Sequence, residues 1–210
     1  MDRVPEGRYW NPRPGQGFDP DRTHLVTAST MDGARLFADG TRLRILREAL
    51  VSALSAAGWV LEAWVALPNH YHAIVRSPLP GQNVLSWAFA AHATSAGNLN
   101  ALDGTPGRAV WNPPSDIRIA DEAAYLAGVR YVMENPVRHG YVRQAETWPF
   151  GWAGELSGGA DATFMARVMS HGCDRISVPD AFVGPAGEGG ALSDSGFSTA
   201  PRRLSRWRSV

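Results

Sequence analysis

Two pairs of residues in this 210-residue chain have the types and spacing to do chemistry: His70 with His72, and Tyr131 with Asn135. The histidines stand two apart in HYHAIVR (70–76), an apolar, β-branched segment that reads as a strand. Strand side chains alternate between faces, so both imidazoles share one face and Tyr71 takes the other. Two imidazoles so placed can bind one divalent cation, or they can be sheet histidines with ordinary hydrogen-bond partners. A histidine-triad hydrolase would want a third histidine at position 74, where Ile74 stands. Tyr131 and Asn135 lie four apart in RYVMENPVRHG (130–140), and on a helix that spacing puts phenol and amide on one face. A phenol with an ordinary pKa of about 10 needs activation before it can serve as a nucleophile. Core packing explains Tyr131 equally well, as it does Tyr125, and Asn135 also suits a plain helix end.

The elements that must position these residues can be read from periodicity. Residues 1–22 are rich in Pro, Gly and charge and read as an irregular arm. Thr23 to Thr30 alternates as a first strand, and Met31-Asp32-Gly33 supplies a turn. Leu43, Leu46, Leu50, Leu54 and Ala57 recur at helical spacing, with Thr41 as N-cap and Gly58 as stop. Trp59 to Leu67 is a Trp- and Val-rich strand, so with Pro68-Asn69 between them it and His70–Arg76 form a tight antiparallel hairpin. Asn83 to Leu99 is helical in composition and Asp103 to Gly107 a loop. Short extended pieces follow around Arg108 to Trp111 and Asp116 to Ile119. A helix opening at Asp121 or Glu122 is expected to stop near Asn135, because Pro136 disfavours helical geometry in the residue before it. Beyond this unit, taken as 23–153, a Gly-, Ala- and Ser-rich extension spans 154–210. One or two helical turns are expected around Ala162 to Ser170, and disorder after 185. The order strand, helix, strand, strand, helix, short strand, helix predicts an α+β two-layer sandwich. In it, an antiparallel sheet carries its helices on one face, close to ferredoxin-like.

Composition bounds the function. Hydrophobic residues make up 44% and charged residues 19%, as in a globular protein. The most hydrophobic stretch, Trp59 to Leu67, is too short to span a bilayer and carries Glu62. The N-terminus lacks the apolar core of a signal peptide, and Cys173 is the one cysteine, so a cytoplasmic protein with no membrane partner is expected. Net charge is zero, with 20 arginines, no lysine and 20 acidic residues. Neutrality argues against a protein that coats nucleic acid, since non-specific affinity grows with the number of phosphates neutralised. It leaves room for a compact site that grips one short strand, and arginine favours bidentate phosphate contacts.

ALPNHYHAIV (66–75) and YVMENPVRHGYV (131–142), in this order, resemble the REP-associated tyrosine transposases, a branch of the HUH single-strand transposase superfamily. VWNPPSDIRI (110–119) and TWPFGW (147–152) support the resemblance, which covers roughly 23–152. It implies the ferredoxin-like HUH fold, with Tyr131 as nucleophile and His70, His72 and Asn135 as metal ligands. Such a ligand set leaves positions open and suits Mg²⁺ or Mn²⁺ better than a closed structural zinc. The implied reaction is cleavage of single-stranded DNA beside a hairpin through a 5′-phosphotyrosine, then strand transfer to a 3′-OH. That bond retains the phosphodiester energy, so no ATP is needed, and the chain shows no Gly-rich phosphate loop. The partner implied is single-stranded or hairpin DNA, bound by a monomer or homodimer. Arg138, His139, Arg118 and Arg108 are candidate DNA contacts. Trp111 can offer a stacking face or pack in the core. The terminal Arg202, Arg203, Arg206 and Arg208 form a basic tail, whereas Asn83 to Leu99 carries no basic residue but His92. Two alternatives stand beside this reading: a domesticated hairpin-DNA-binding protein with little catalysis, and a metal phosphodiesterase that uses water.

Overall fold

The 67–70 region shows how locally the sequence sets the chain path. Strands β2 (Val60–Leu67) and β3 (His70–Arg76) pair antiparallel, Leu67 facing His70 across the Pro68-Asn69 turn. Strand β1 (Thr23–Ser29) adds to the other side of β3, and the short β4 (Ser115–Arg118) to β1, giving the order β2-β3-β1-β4. The computed structural model describes residues 18–155, 162–173 and 176. Most of the expected N-terminal arm, the stretch after 185 and the terminal arginines lie outside the described residues.

Helix α1 (Gly40–Ala56) begins two residues earlier than expected, because Asp39 rather than Thr41 caps it. The Asp39 carboxylate accepts from the Thr41 and Arg42 amides at 2.9 and 3.0 Å. Helix α2 (Ser86–Asp103) runs a turn beyond the expected end at Leu99 and stops where Gly104 adopts φ 64°, a conformation glycine takes without strain. Helix α3 (Glu122–Arg138) starts at its expected cap, Asp121, whose carboxylate accepts from the Ala124 amide. It does not stop at Asn135. Pro136 sits in its last turn, where the donor it lacks is a single bond at the frayed end, and the helix runs on to Arg138. Asn135 is thereby held within the helix. The short α4 (Trp152–Glu155) and α5 (Ala162–Met169) follow, the latter at the expected position.

The antiparallel sheet and the α+β class agree with the order of elements. The helices, however, divide between both faces rather than sharing one. Tyr71 of β3 meets His92 of α2 on one side, while Ile74 lies beneath Gly128 of α3 on the other. The cause is β3 itself. Its residues from His70 to Val75 are all buried, so a helix layer must cover each side. Helix α1 packs on α2 and β2, and α5 on α3.

Two devices hold α3 over the sheet. At Gly128 an added Cβ would stand 3.3 Å from the Ile74 Cδ1, so the absence of a side chain lets helix and strand approach closely. A β-bulge between Leu61 and Ala63 turns Glu62 to the same face, where its buried carboxylate accepts from Arg76 Nε and the Tyr125 hydroxyl, both at 2.7 Å. Tyr125 is therefore a packing and anchoring residue. The outer edge of β2 is covered by the Trp-Pro segment. The Ala66 amide donates to the Phe150 carbonyl, and Trp148 Nε1 to that of Ala66. Among the described residues, no helix is long and apolar enough to cross a membrane.

Candidate active site

Helix α3 runs along β3 in the opposite sense. Gly128 lies over Ile74, Tyr131 reaches His72, and Asn135 reaches His70 one turn further on. Helical steps of three and four residues thus match strand steps of two, and the two shared faces seen in the sequence are the same interface. All four side chains are buried, with relative exposures of 0% for His70, His72 and Asn135 and 2% for Tyr131. A phosphate reaches them only if covering side chains move.

Each histidine is oriented by a partner on its Nδ1. The Asn69 side-chain amide donates to the Gly33 carbonyl at 3.2 Å, which turns its Oδ1 toward His70 Nδ1 at 2.8 Å. That oxygen can only accept, so Nδ1 carries the proton and Nε2 presents a lone pair. His70 Nε2 then faces Asn135 Oδ1 at 3.3 Å, and the Asn135 Nδ2 is buried with no partner. Two lone pairs with no proton between them are the arrangement a cation relieves. Ligands about 2.1 Å from a cation and at right angles to each other lie about 3 Å apart. His72 Nδ1 pairs with Thr27 Oγ1 at 2.8 Å, and its Nε2 stands 3.5 Å from the Tyr131 hydroxyl.

The two histidine rings meet edge to face, 5.1 Å apart. The Tyr131 ring lies 5.1 Å from His72, and His139, half-buried at the end of α3, lies 4.9 Å from His70. Tyr131, His72, His70 and His139 therefore form a row of rings. Arg138 places its guanidinium 5.3 Å above the Tyr131 ring. Among the described residues no group of three or more His, Cys, Asp or Glu side chains is placed to hold a metal ion, so a site here depends on the Asn135 amide.

Other expected contacts lie elsewhere. Arg108 donates to Asn100 and Asp103 at the end of α2, and Arg118 pairs with Asp21 at the β4 edge. Trp111 is partly buried, stacked 4.5 Å from His92 and 5.1 Å from Phe37, which is packing. Reading by motif passed over Asn69 and Thr27. The first adjoins His70, and the second stands opposite His72 in the β1–β3 register, so pairing the strands on paper would have found it.

No protein-family profile matches the chain. It is 30% identical over 150 residues to the REP-associated tyrosine transposase of Escherichia coli (strain K12), covering 62% of this chain and 82% of that protein. Its fold is similar to that of a REP-associated tyrosine transposase solved bound to a REP hairpin. That match has a TM-score of 0.54 and 24% identity, over 70% of this chain and 86% of the other. By its likeness to the Escherichia coli protein, the chain belongs to the REP-associated tyrosine transposase family.

Proposed function

We propose that the protein cleaves single-stranded DNA beside hairpin-forming repeats and rejoins it by strand transfer, with Tyr131 as nucleophile. The observation that carries this reading is the meeting of one α3 face and one β3 face. It sets a phenol beside two oriented imidazoles and an amide oxygen. Family membership supports transposase chemistry, and the relative solved with a REP hairpin supports that class of DNA.

In the cleavage step, Tyr131 Oη attacks the scissile phosphorus. The Oη–P bond forms as the P–O3′ bond breaks, leaving a 5′-phosphotyrosine and a 3′-OH. The phenolic proton is released to solvent, and the departing oxygen takes one up. Attack by the 3′-OH of another strand reverses these bonds and completes the transfer. His70, His72 and Asn135 would hold Mg²⁺ or Mn²⁺, which supplies charge to polarise the phosphate and stabilise the phenolate. Asn69 and Thr27 keep the imidazoles turned toward the site. Arg138, above the Tyr131 ring, would meet phosphate charge.

The test is incubation of labelled hairpin DNA bearing single-stranded tails with the protein and Mn²⁺. A covalent adduct is expected with the wild type and none with Tyr131→Phe. Binding without adduct in the wild type would favour a domesticated binding protein. Cleavage that survives Tyr131→Phe but not His70→Ala would favour a water-using phosphodiesterase.

A further inference from the structure

The chain is neutral overall, but its positive charge is not neutralised evenly. Most described arginines, Arg42, Arg76 and Arg108 among them, pair with carboxylates. Arg35, Arg138 and Arg143 are exposed and make no ion pair among the described residues. Arg44, which donates to Thr41 on α1, is another such residue, away from the histidines. Arg35 and Arg138 border the row of rings. Arg138 lies over Tyr131 at one end. At the other, His139 is followed by the half-buried Tyr141, 6.5 Å away, and Arg35 lies 5.6 Å above the Tyr141 ring. Arg143 comes two residues later. Asp32, on the Arg35 loop, pairs with none of them.

We propose that Arg35, with the Tyr141 ring it lies over, is a subsite for the unpaired nucleotide that carries the leaving 3′ oxygen. This rests on the reading of Tyr131 as the nucleophile. Attacking and leaving oxygens lie on opposite sides of phosphorus in an in-line displacement. With Tyr131 at one end of the row, the leaving oxygen points along His72 and His70 toward His139, and the next ring is Tyr141. A guanidinium held over an aromatic ring by a cation–π contact can offer a face to a base and its N–H groups to a phosphate. A paired base cannot expose its face in this way, so the platform selects a single strand. It also lets a neutral protein hold one short strand without coating DNA.

The probe is a REP-type hairpin with ten-nucleotide single-stranded tails, compared with the same hairpin made blunt. Binding is measured in EDTA so that no cleavage intervenes. Arg35→Gln and Tyr141→Leu should weaken binding of the tailed hairpin about tenfold, the scale of one lost stacking contact, and leave blunt-hairpin binding unchanged. Tyr141→Phe keeps the ring and should retain affinity. Melting curves separate a folding defect, which the exposed position of Arg35 keeps small in Arg35→Gln. Once the adduct has located the scissile phosphate, 2-aminopurine on its 5′ side should change fluorescence on binding in the wild type but not in Tyr141→Leu. Equal tailed-hairpin affinity in wild type and both variants overturns the subsite alone, as does a 2-aminopurine response confined to the 3′ side. A wild type that binds no tailed hairpin overturns the functional reading and the subsite with it.

Discussion

On the back of β3, the Tyr71 hydroxyl and His92 Nε2 meet at 3.1 Å. On the front, the Tyr131 hydroxyl and His72 Nε2 approach to 3.5 Å. Both sides offer a buried tyrosine beside a buried histidine, yet their surroundings differ. Trp111 stacks flat on His92 at 4.5 Å and donates to Ser95, so the back cluster is closed and packed. Burial pushes His92 down to about 4 and Tyr71 well above its ordinary value. The front has a second imidazole, two Nδ1 partners that aim the rings, and an amide whose Nδ2 has no acceptor. A histidine–tyrosine contact is therefore not a site in itself. The convergence of aimed lone pairs is what distinguishes the front.

Substitutions on the two faces should separate these roles. On the proposed mechanism, His70→Ala and His72→Ala should each lower adduct formation more than about 100-fold, because each would remove a proposed metal ligand rather than a supporting partner. Both should also lose the Mn²⁺-dependent rise in melting temperature, which His92→Ala should keep. Equal loss in His92→Ala would erase the distinction between the faces.

The second effect is on stability. His92 has a folded pKa near 4 against an ordinary 6.5, so below 6.5 the unfolded chain takes up a proton that the folded chain refuses. Its contribution is complete above pH 6.5 and is lost as pH falls toward 4, by about 3 kcal/mol. Denaturation in EDTA across this range should show that loss, with a clearly shallower slope in His92→Gln.

Next in size, Asn69→Ala should weaken Mn²⁺ binding about 10- to 100-fold by freeing the His70 ring, without removing a ligand. Calorimetric titration measures it. Tyr71→Phe, which removes only the hydroxyl that meets His92, should cost about 1 kcal/mol of stability and leave adduct formation intact.

The front face was largely legible in the sequence and the back was not. Strand alternation put His70 with His72, and helical spacing put Tyr131 with Asn135, because both are local geometry. That the two faces meet depends on Gly128 and the Glu62 bulge, which act between elements distant in sequence. The same is true of the helices on both sides. A strand buried on both faces shows as an apolar run, and HYHAIV disguises that run with two histidines. Pro136 misled for a physical reason: its cost is small in a last turn, so the helix carries Asn135 inside it. His92 was noticed as a basic residue on a helix of low charge, whereas its burial against Tyr71 and Trp111 takes it out of the DNA-facing set.

Mass spectrometry of the protein–DNA adduct, digested with trypsin and nuclease, tests the nucleophile directly. Cleavage after Arg130 and Arg138 releases the peptide 131–138, in which Tyr131 is the one tyrosine. The expected result is a nucleotide joined through its 5′-phosphate to that peptide, absent from Tyr131→Phe. A nucleotide on a peptide bearing Tyr71, Tyr125 or Tyr141, or DNA cleaved with no adduct at any residue, would contradict it.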